Sequence, residues 1–298
     1  MEARLTKVKK LFYIVMLAIV LFITGYELNL VRAELLVRMI KVNGIDYDAF
    51  RELKLDEQSL MRAKSKAKHL TKSYPELRNC SYIDEVGLIT FSMLTNDYDL
   101  LEGSIIDEKT FLRGLIRVAE TNCFRELYGY YKALLFDLKY FPVPMVQQGE
   151  ADISYIDSWY VLRSYGGNRR HEGTDLMASN NLRGYFPVIS ITEGEVENLG
   201  WLEKGGNRIG IRSDSGGYFY YAHLSTYAPG LKVGDKVIAG QLIGFMGDSG
   251  YGSEGTIGQF DVHLHVGMYV QAGVLDMSVN PYHILKILEK SRTQYSYQ

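Results

Sequence analysis

The sequence predicts an α+β chain in three parts: an N-terminal transmembrane helix, a small helical region, and an antiparallel all-β half. Three observations carry that reading. Residues 11–26 (LFYIVMLAIVLFITGY) hold no charge and follow a basic tip. Residues 34–140 hold long runs of helix-forming residues. Finally, 22 of the 29 glycines and five of the six histidines fall in residues 151–298, so the two halves are different objects.

Composition sets the outer bounds. A chain of 298 residues holds one large domain or two ordinary ones. With 47% hydrophobic and 23% charged residues it has globular, not disordered, composition. A net charge of -2 supplies no basic field, so no nucleic-acid partner is expected. Two cysteines exclude a disulfide-dense miniprotein and a Cys-rich zinc array.

The apolar run extends to Leu30, interrupted only by Glu27 and Asn29. About 20 helical residues span the hydrocarbon core of a bilayer. Arg4, Lys7, Lys9 and Lys10 precede the run and place its N-terminus in the cytoplasm. A cleaved signal peptide is the rival reading, but residues 25–33 (GYELNLVRA) offer no good A-x-A-like site. On either reading residues 34–298 are extracytoplasmic. The expected location is the cell membrane, single-pass, with the C-terminal domain outside. There Cys80 and Cys123 are either a disulfide or two separate thiols, and their spacing does not decide.

The expected organisation is a cytoplasmic tip and anchor over 1–33, a helical spacer or partner-binding region over 34–145, and a β domain over 146–298. Helices are expected at 56–72, which stops before Tyr74-Pro75, at 107–120, which opens on acids, and at 121–140. The last two carry an aromatic and aliphatic stripe that includes Phe111, Leu115, Phe124, Leu127 and Tyr131. Such a stripe is more often core than a surface for a protein partner. His69, among lysines, reads as a surface residue. Pro142 and Pro144 end the helical part.

Strands are expected at 188–192, 194–199, 208–213, 218–224, 232–238, 241–246 and 262–270, with glycine-bearing turns between them. Residues 280–290 read as a short closing helix, with His283 on its surface.

Three clusters carry the candidate chemistry: residues 171–175 (HEGTD), 221–224 (YAHL) and 262–266 (VHLHV). On a strand, His263 and His265 share one face while Leu264 and Val266 enter the core. Two imidazoles on one face make a natural metal or catalytic pair. His171 and Asp175 stand four apart but lack the second histidine of H-E-x-x-H, and Gly173 and Thr174 disfavour a helix. A turn at Gly173 would bring the imidazole and the carboxylate to one ion, with Glu172 facing solvent or supporting from behind. One histidine of the third cluster then completes a two-His, one-carboxylate set with a position left for water. His223 is a candidate for holding that water or a developing oxyanion. The string 247–250 (GDSG) imitates a serine-protease nucleophile, but only 25 residues separate His223 from Ser249, too few for that fold.

These ordered elements resemble the lysostaphin-type (LytM-like) zinc metallopeptidases, which hydrolyse peptide bonds in bacterial peptidoglycan. The resemblance covers residues 160–282. HEGTD is similar to the family's H-x-G-x-D, YYAHLS to its Y-A-H-L segment, residues 231–250 (LKVGDKVIAGQLIGFMGDSG) to its turn-rich block, and VHLHVG to H-L-H. The resemblance implies an antiparallel LytM-like peptidase domain with Zn2+ held by His171, Asp175 and His265. It implies catalytic roles for His223 and His263, and an oxyanion-holding role for Tyr165, six residues before His171. Val262 replaces the usual proline, and Gly267 replaces the usual acid or glutamine. Neither change removes a ligand. The implied function is a membrane-anchored zinc metalloendopeptidase hydrolysing peptidoglycan peptides by metal-activated water. The alternative is a non-catalytic LytM-like scaffold or regulator that binds cell wall or a partner protein. Its usual mark is a lost ligand or catalytic histidine, and all five positions are filled here. A carbohydrate- or peptide-binding β module, suggested by 13 of the 23 tyrosines in residues 151–298, has less support.

Overall fold

The structure is a computed structural model that describes residues 13–17, 19–21, 34, 38, 44–146, 150–164 and 168–296. The expected membrane segment falls largely outside these residues. Among the described residues, no helix is long and apolar enough to cross a membrane.

The helical part runs through Tyr47–Arg51 (α1), Lys54–Leu55 (β1), Glu57–Ser73 (α2), Glu85–Thr95 (α3), Asp99–Leu100 (β2), Glu108–Val118 (α4) and Asn122–Leu135 (α5). Side-chain caps set the helix starts. Asp56 accepts from the Ser59 amide at 2.7 Å, Asp84 from Gly87 at 2.7 Å, Asp107 from Thr110 at 3.0 Å, and Thr121 from Phe124 at 3.3 Å. Each satisfies one of the donors that a helix N-terminus leaves open. The aromatic stripe is core: Phe111, Phe124, Leu127, Tyr131 and Leu134 are fully buried. His69 is exposed, as expected, but it has a partner. Its Nδ1 lies 3.0 Å from the carboxylate of Glu108, the first residue of α4. Cys80 and Cys123 are free thiols.

The second part contains Met145–Val146 (β3), Ile153–Ser154 (β4), Leu162–Arg163 (β5), Arg169–Arg170 (β6), Thr174–Ala178 (β7), Pro187–Ile189 (β8), Gly194–Leu202 (β9), Gly206–Arg212 (β10), Tyr218–Tyr227 (β11), Lys236–Val237 (β12), Leu242–Met246 (β13), His263–Ala272 (β14) and Leu275–Val279 (β15). Tyr282–Glu289 (α6) and Gln294–Tyr295 (β16) follow. Ten strands form one antiparallel sheet in the order β12-β9-β10-β11-β14-β7-β4, with β15 on β14 and β13 joining β11 to β8. The expected strand at 232–238 shrinks to two residues. Gly230 and Gly234 take φ of +79° and +88°, and Asp235 accepts from the Lys232 amide, so the segment turns instead of extending.

Helices and sheet share one apolar core that includes Phe124, Leu134, Phe219, Leu264 and Leu285. α5 packs so closely that a Cβ on Gly217 would meet the Ala133 carbonyl at 2.2 Å. The Asn280 amide donates to the Arg51 carbonyl at 2.7 Å, tying α1 to the end of β15. His283 is not a surface residue. α6 turns Ile284, Leu285 and Leu288 into the core, which leaves His283 half-buried and its pKa lowered by burial.

Candidate metal centre

The site forms where β14 runs antiparallel between β11 and β7. Register places Asp175 directly opposite His265 on one side and Ala222 opposite it on the other. Directly opposed residues share a face. Alternation along β14 puts His263 and His265 on that face, while Leu264 and Val266 are fully buried behind it. Asp175 therefore reaches the site from a strand, not from the turn expected after His171.

His171 arrives by a different route. Its amide donates to the Val161 carbonyl at 3.0 Å, and its carbonyl accepts from the Tyr160 amide at 2.8 Å, extending the β5–β6 ribbon. Its ring Nδ1 lies 3.1 Å from the Ser158 carbonyl and 3.0 Å from Ser158 Oγ. A carbonyl only accepts, so Nδ1 carries the proton and Nε2 presents its lone pair. That Nε2 lies 3.1 Å from both Asp175 Oδ1 and His265 Nδ1, and the latter two atoms are 2.8 Å apart. Three ligand atoms on a tetrahedral zinc would be about 3.3 Å apart, given bonds near 2.0–2.1 Å. The donor set and its spacing fit a zinc-sized cation.

The carboxylate is prepared for that task. Burial alone would push the Asp175 pKa up, but the imidazoles of His171, His265 and His263 gathered around it hold it well below the usual carboxylate range. Arg163 binds the outer oxygen, Nη2 to Oδ2 at 2.5 Å, which leaves Oδ1 facing the histidines. Sequence reasoning missed Arg163 and Ser158, because neither lies in a motif. Replacing Arg163 with methionine is expected to weaken zinc binding about 10- to 100-fold while the fold persists. Competition with a chromogenic chelator measures it.

Gly173 is the residue that lets the cluster close. A Cβ there would stand 2.4 Å from His265 Cε1 and 2.7 Å from the Val266 carbonyl. Gly173→Ala is expected to displace the His265 ring, cost about 1–3 kcal/mol in stability, and lower zinc affinity. Thermal unfolding with and without zinc checks both effects.

Strict strand alternation would send His223 to the buried face with Tyr221. A bulge redirects it. Opposite β10, the partners step from Ile209–Tyr221 to Asn207–Leu224, and His223 takes φ of +63°. Its ring then lies 4.7 Å from that of His263, centroid to centroid. His223 Nδ1 donates to the Ser249 carbonyl at 2.8 Å, and His263 Nδ1 to the Asp261 carbonyl at 2.7 Å. By the same tautomer argument both rings leave Nε2 unprotonated, and His263 Nε2 lies 3.9 Å from Asp175 Oδ1. Burial, with His263 and His265 beside it, lowers the His223 pKa well below its ordinary value and so favours the neutral ring. Tyr251 stacks on His223 at 6.1 Å, and Phe260 meets both rings edge-on at 4.7 and 5.0 Å. Ser249 is no nucleophile: its Oγ donates to the Leu224 carbonyl at 2.8 Å. Tyr165 lies outside the described residues. Glu172 faces the groove rim and pairs with Arg51 of α1 at 3.1 Å.

The fold and site together define a β-sheet domain in which two histidines and a carboxylate could hold one divalent metal. Residues 169–280 match Peptidase family M23, and the chain belongs to this family, as its sequence resemblance implied. It is 40% identical over 216 residues to the L-Ala–D-Glu endopeptidase of Bacillus subtilis (strain 168), covering 72% of this chain and 63% of that one. It is 36% identical over 129 residues to lysostaphin of Staphylococcus simulans, covering 43% of this chain and 23% of that one. A crystal structure from Ruminococcus gnavus, described as a candidate glycyl-glycine endopeptidase lytM, is 38% identical with a TM-score of 0.67, over 84% of this chain and 94% of that one. The chain thus spans somewhat under two thirds of the Bacillus relative and about a quarter of lysostaphin.

Proposed function

We propose that this protein is a membrane-anchored zinc metalloendopeptidase that hydrolyses peptide bonds of bacterial peptidoglycan, with its catalytic domain outside the cytoplasm. The observation that carries the catalytic part is the convergence of His171 Nε2, Asp175 Oδ1 and His265 Nδ1 within 3.1 Å, beside two histidines that present unprotonated Nε2 atoms. The basic tip and the apolar run of residues 11–30 support the anchor. Both the L-Ala–D-Glu bond and the glycyl-glycine bond named for relatives lie within this substrate class.

His171, Asp175 and His265 would hold the zinc, which when bound supplies Lewis-acid polarisation of the scissile carbonyl and lowers the pKa of water toward ~7. His263 or His223 accepts a proton at Nε2 from the attacking water and returns it to the leaving amine. Their Nδ1–H bonds to Ser249 and Asp261 fix the rings and steady the imidazolium that forms. Tyr251 and Phe260 wall the two rings and limit competing water.

The test is digestion of purified sacculi by the zinc-loaded full chain, read by mass spectrometry of the products. Cleavage that stops with chelator and returns with zinc is the expected result. Wall binding without chelator-sensitive cleavage would move the protein to the scaffold reading.

A further inference from the structure

The groove beside the metal centre is charged in one sense. Its walls, enclosing about 220 Å³, include Arg169, Arg170 and Lys204, and one acid, Glu172. Glu172 is neutralised by Arg51 at 3.1 Å. Arg169 is engaged with Tyr251, its guanidinium 5.3 Å over the ring. Among the described residues Arg170 has only neutral partners, the Tyr160 carbonyl at 3.2 Å and the Tyr160 ring at 5.8 Å. Among the described residues Lys204 makes no ion pair. On the next strand Arg208 shares the face of Tyr220, and its Nε and Nη1 are buried with no hydrogen-bond partner. Positive charge thus collects on this groove although the chain as a whole carries -2.

Position ties Arg170 and Lys204 to the reacting centre. Arg170 immediately precedes the ligand His171. Lys204 immediately precedes Gly205, whose carbonyl accepts the His223 amide at 2.8 Å. The two cations therefore approach the same centre from separate chain segments. A neutral glycine bridge offers such groups only backbone carbonyls and no counter-charge, so their desolvation on closure is less well offset. A glutamate or aspartate joined into a peptide through one carboxyl keeps the other free. That carboxylate, next to the scissile amide, matches a guanidinium and an ammonium.

We propose that Arg170 and Lys204 form a carboxylate-reading subsite, so that the groove selects an acidic peptide over a neutral glycine bridge. The inference rests on the peptidase reading and specifies its substrate. The test uses the zinc-loaded full chain and three probes: a peptide with D-Glu after the scissile bond, the same peptide with the free carboxyl converted to an amide, and pentaglycine. The amide keeps shape and loses charge. The expected kcat/KM is about tenfold higher for the acid than for the amide, as charge-assisted hydrogen bonds permit, with pentaglycine last. Arg170→Gln and Lys204→Gln each shrink the acid-to-amide ratio, the double variant brings it to about one, and Lys204→Arg retains it. Raising salt lowers the ratio, because exposed charges are screened. Equal cleavage of acid and amide, preference for pentaglycine, or an unchanged ratio in the double variant would overturn the subsite. If no probe is cleaved, the peptidase reading fails by itself, and calorimetric titration with the acid and the amide still decides: about tenfold tighter binding of the acid supports the subsite, and equal binding overturns it.

Discussion

His171→Ala is expected to leave the purified protein without stoichiometric zinc and to lower peptidoglycan cleavage by at least about 100-fold. Loss of an outer partner of a metal ligand costs up to that much, and loss of a ligand costs more. The physical reason is the tightness of the cluster. His171 Nε2, Asp175 Oδ1 and His265 Nδ1 stand 2.8–3.1 Å apart, so each is needed to close a three-sided cage. Without His171, an aspartate and one imidazole are left to hold the cation. Asp175→Asn should be nearly as damaging, since it keeps the shape but removes the charge that His171, His265 and Arg163 surround. Zinc stoichiometry by elemental analysis and product formation from sacculi check both variants. Circular dichroism separates loss of metal from loss of fold.

The second large effect separates catalysis from metal binding. His223→Ala and His263→Ala are each expected to retain about one zinc per chain and lose about 10²- to 10⁴-fold in kcat, the range for a positioned proton carrier. Both rings spend Nδ1–H on a backbone carbonyl and present Nε2. Because they sit 4.7 Å apart and serve one proton path, the double variant should lose much less than the product of the single losses. Loss of zinc in His263→Ala would instead make His263 a ligand. Its Nε2 is 3.9 Å from Asp175 Oδ1, against 2.8 Å for His265 Nδ1, and that difference favours His265 over His263 as the proposed ligand.

Much of this was legible in the residues, for reasons that differ from place to place. Helix starts at 56–57, 107–108 and 121–122 could be read because an acid or threonine caps each one and an amphipathic pattern follows. Helix α3 could not be delimited that way. Every residue from Val86 to Met93 is buried, so its sequence shows no polar face and no period. H-L-H was readable because a period of two needs no tertiary information. Asp175 was identified, but its setting was misread: the five residues of β7 are too short, and too close to glycine, to declare themselves a strand without β14 beside them. His223 shows the opposite limit. Alternation alone sends it into the core, and only the bulge against β10, formed by partners distant in sequence, returns it to the site. Arg163, Ser158 and the Arg51–Glu172 pair were invisible for the same reason: each joins segments that only the fold brings together.

In the proposed site His171, Asp175 and His265 hold one zinc ion while His223 and His263 do not. The measurement that tests it most directly is zinc per chain, determined by elemental analysis after equilibrium with limiting free zinc, in the native protein and the five single alanine variants. About one equivalent is expected in the native protein, in His223→Ala and in His263→Ala, and almost none in His171→Ala, Asp175→Ala and His265→Ala. Full zinc in any of the last three, or none in the native chain, would contradict it.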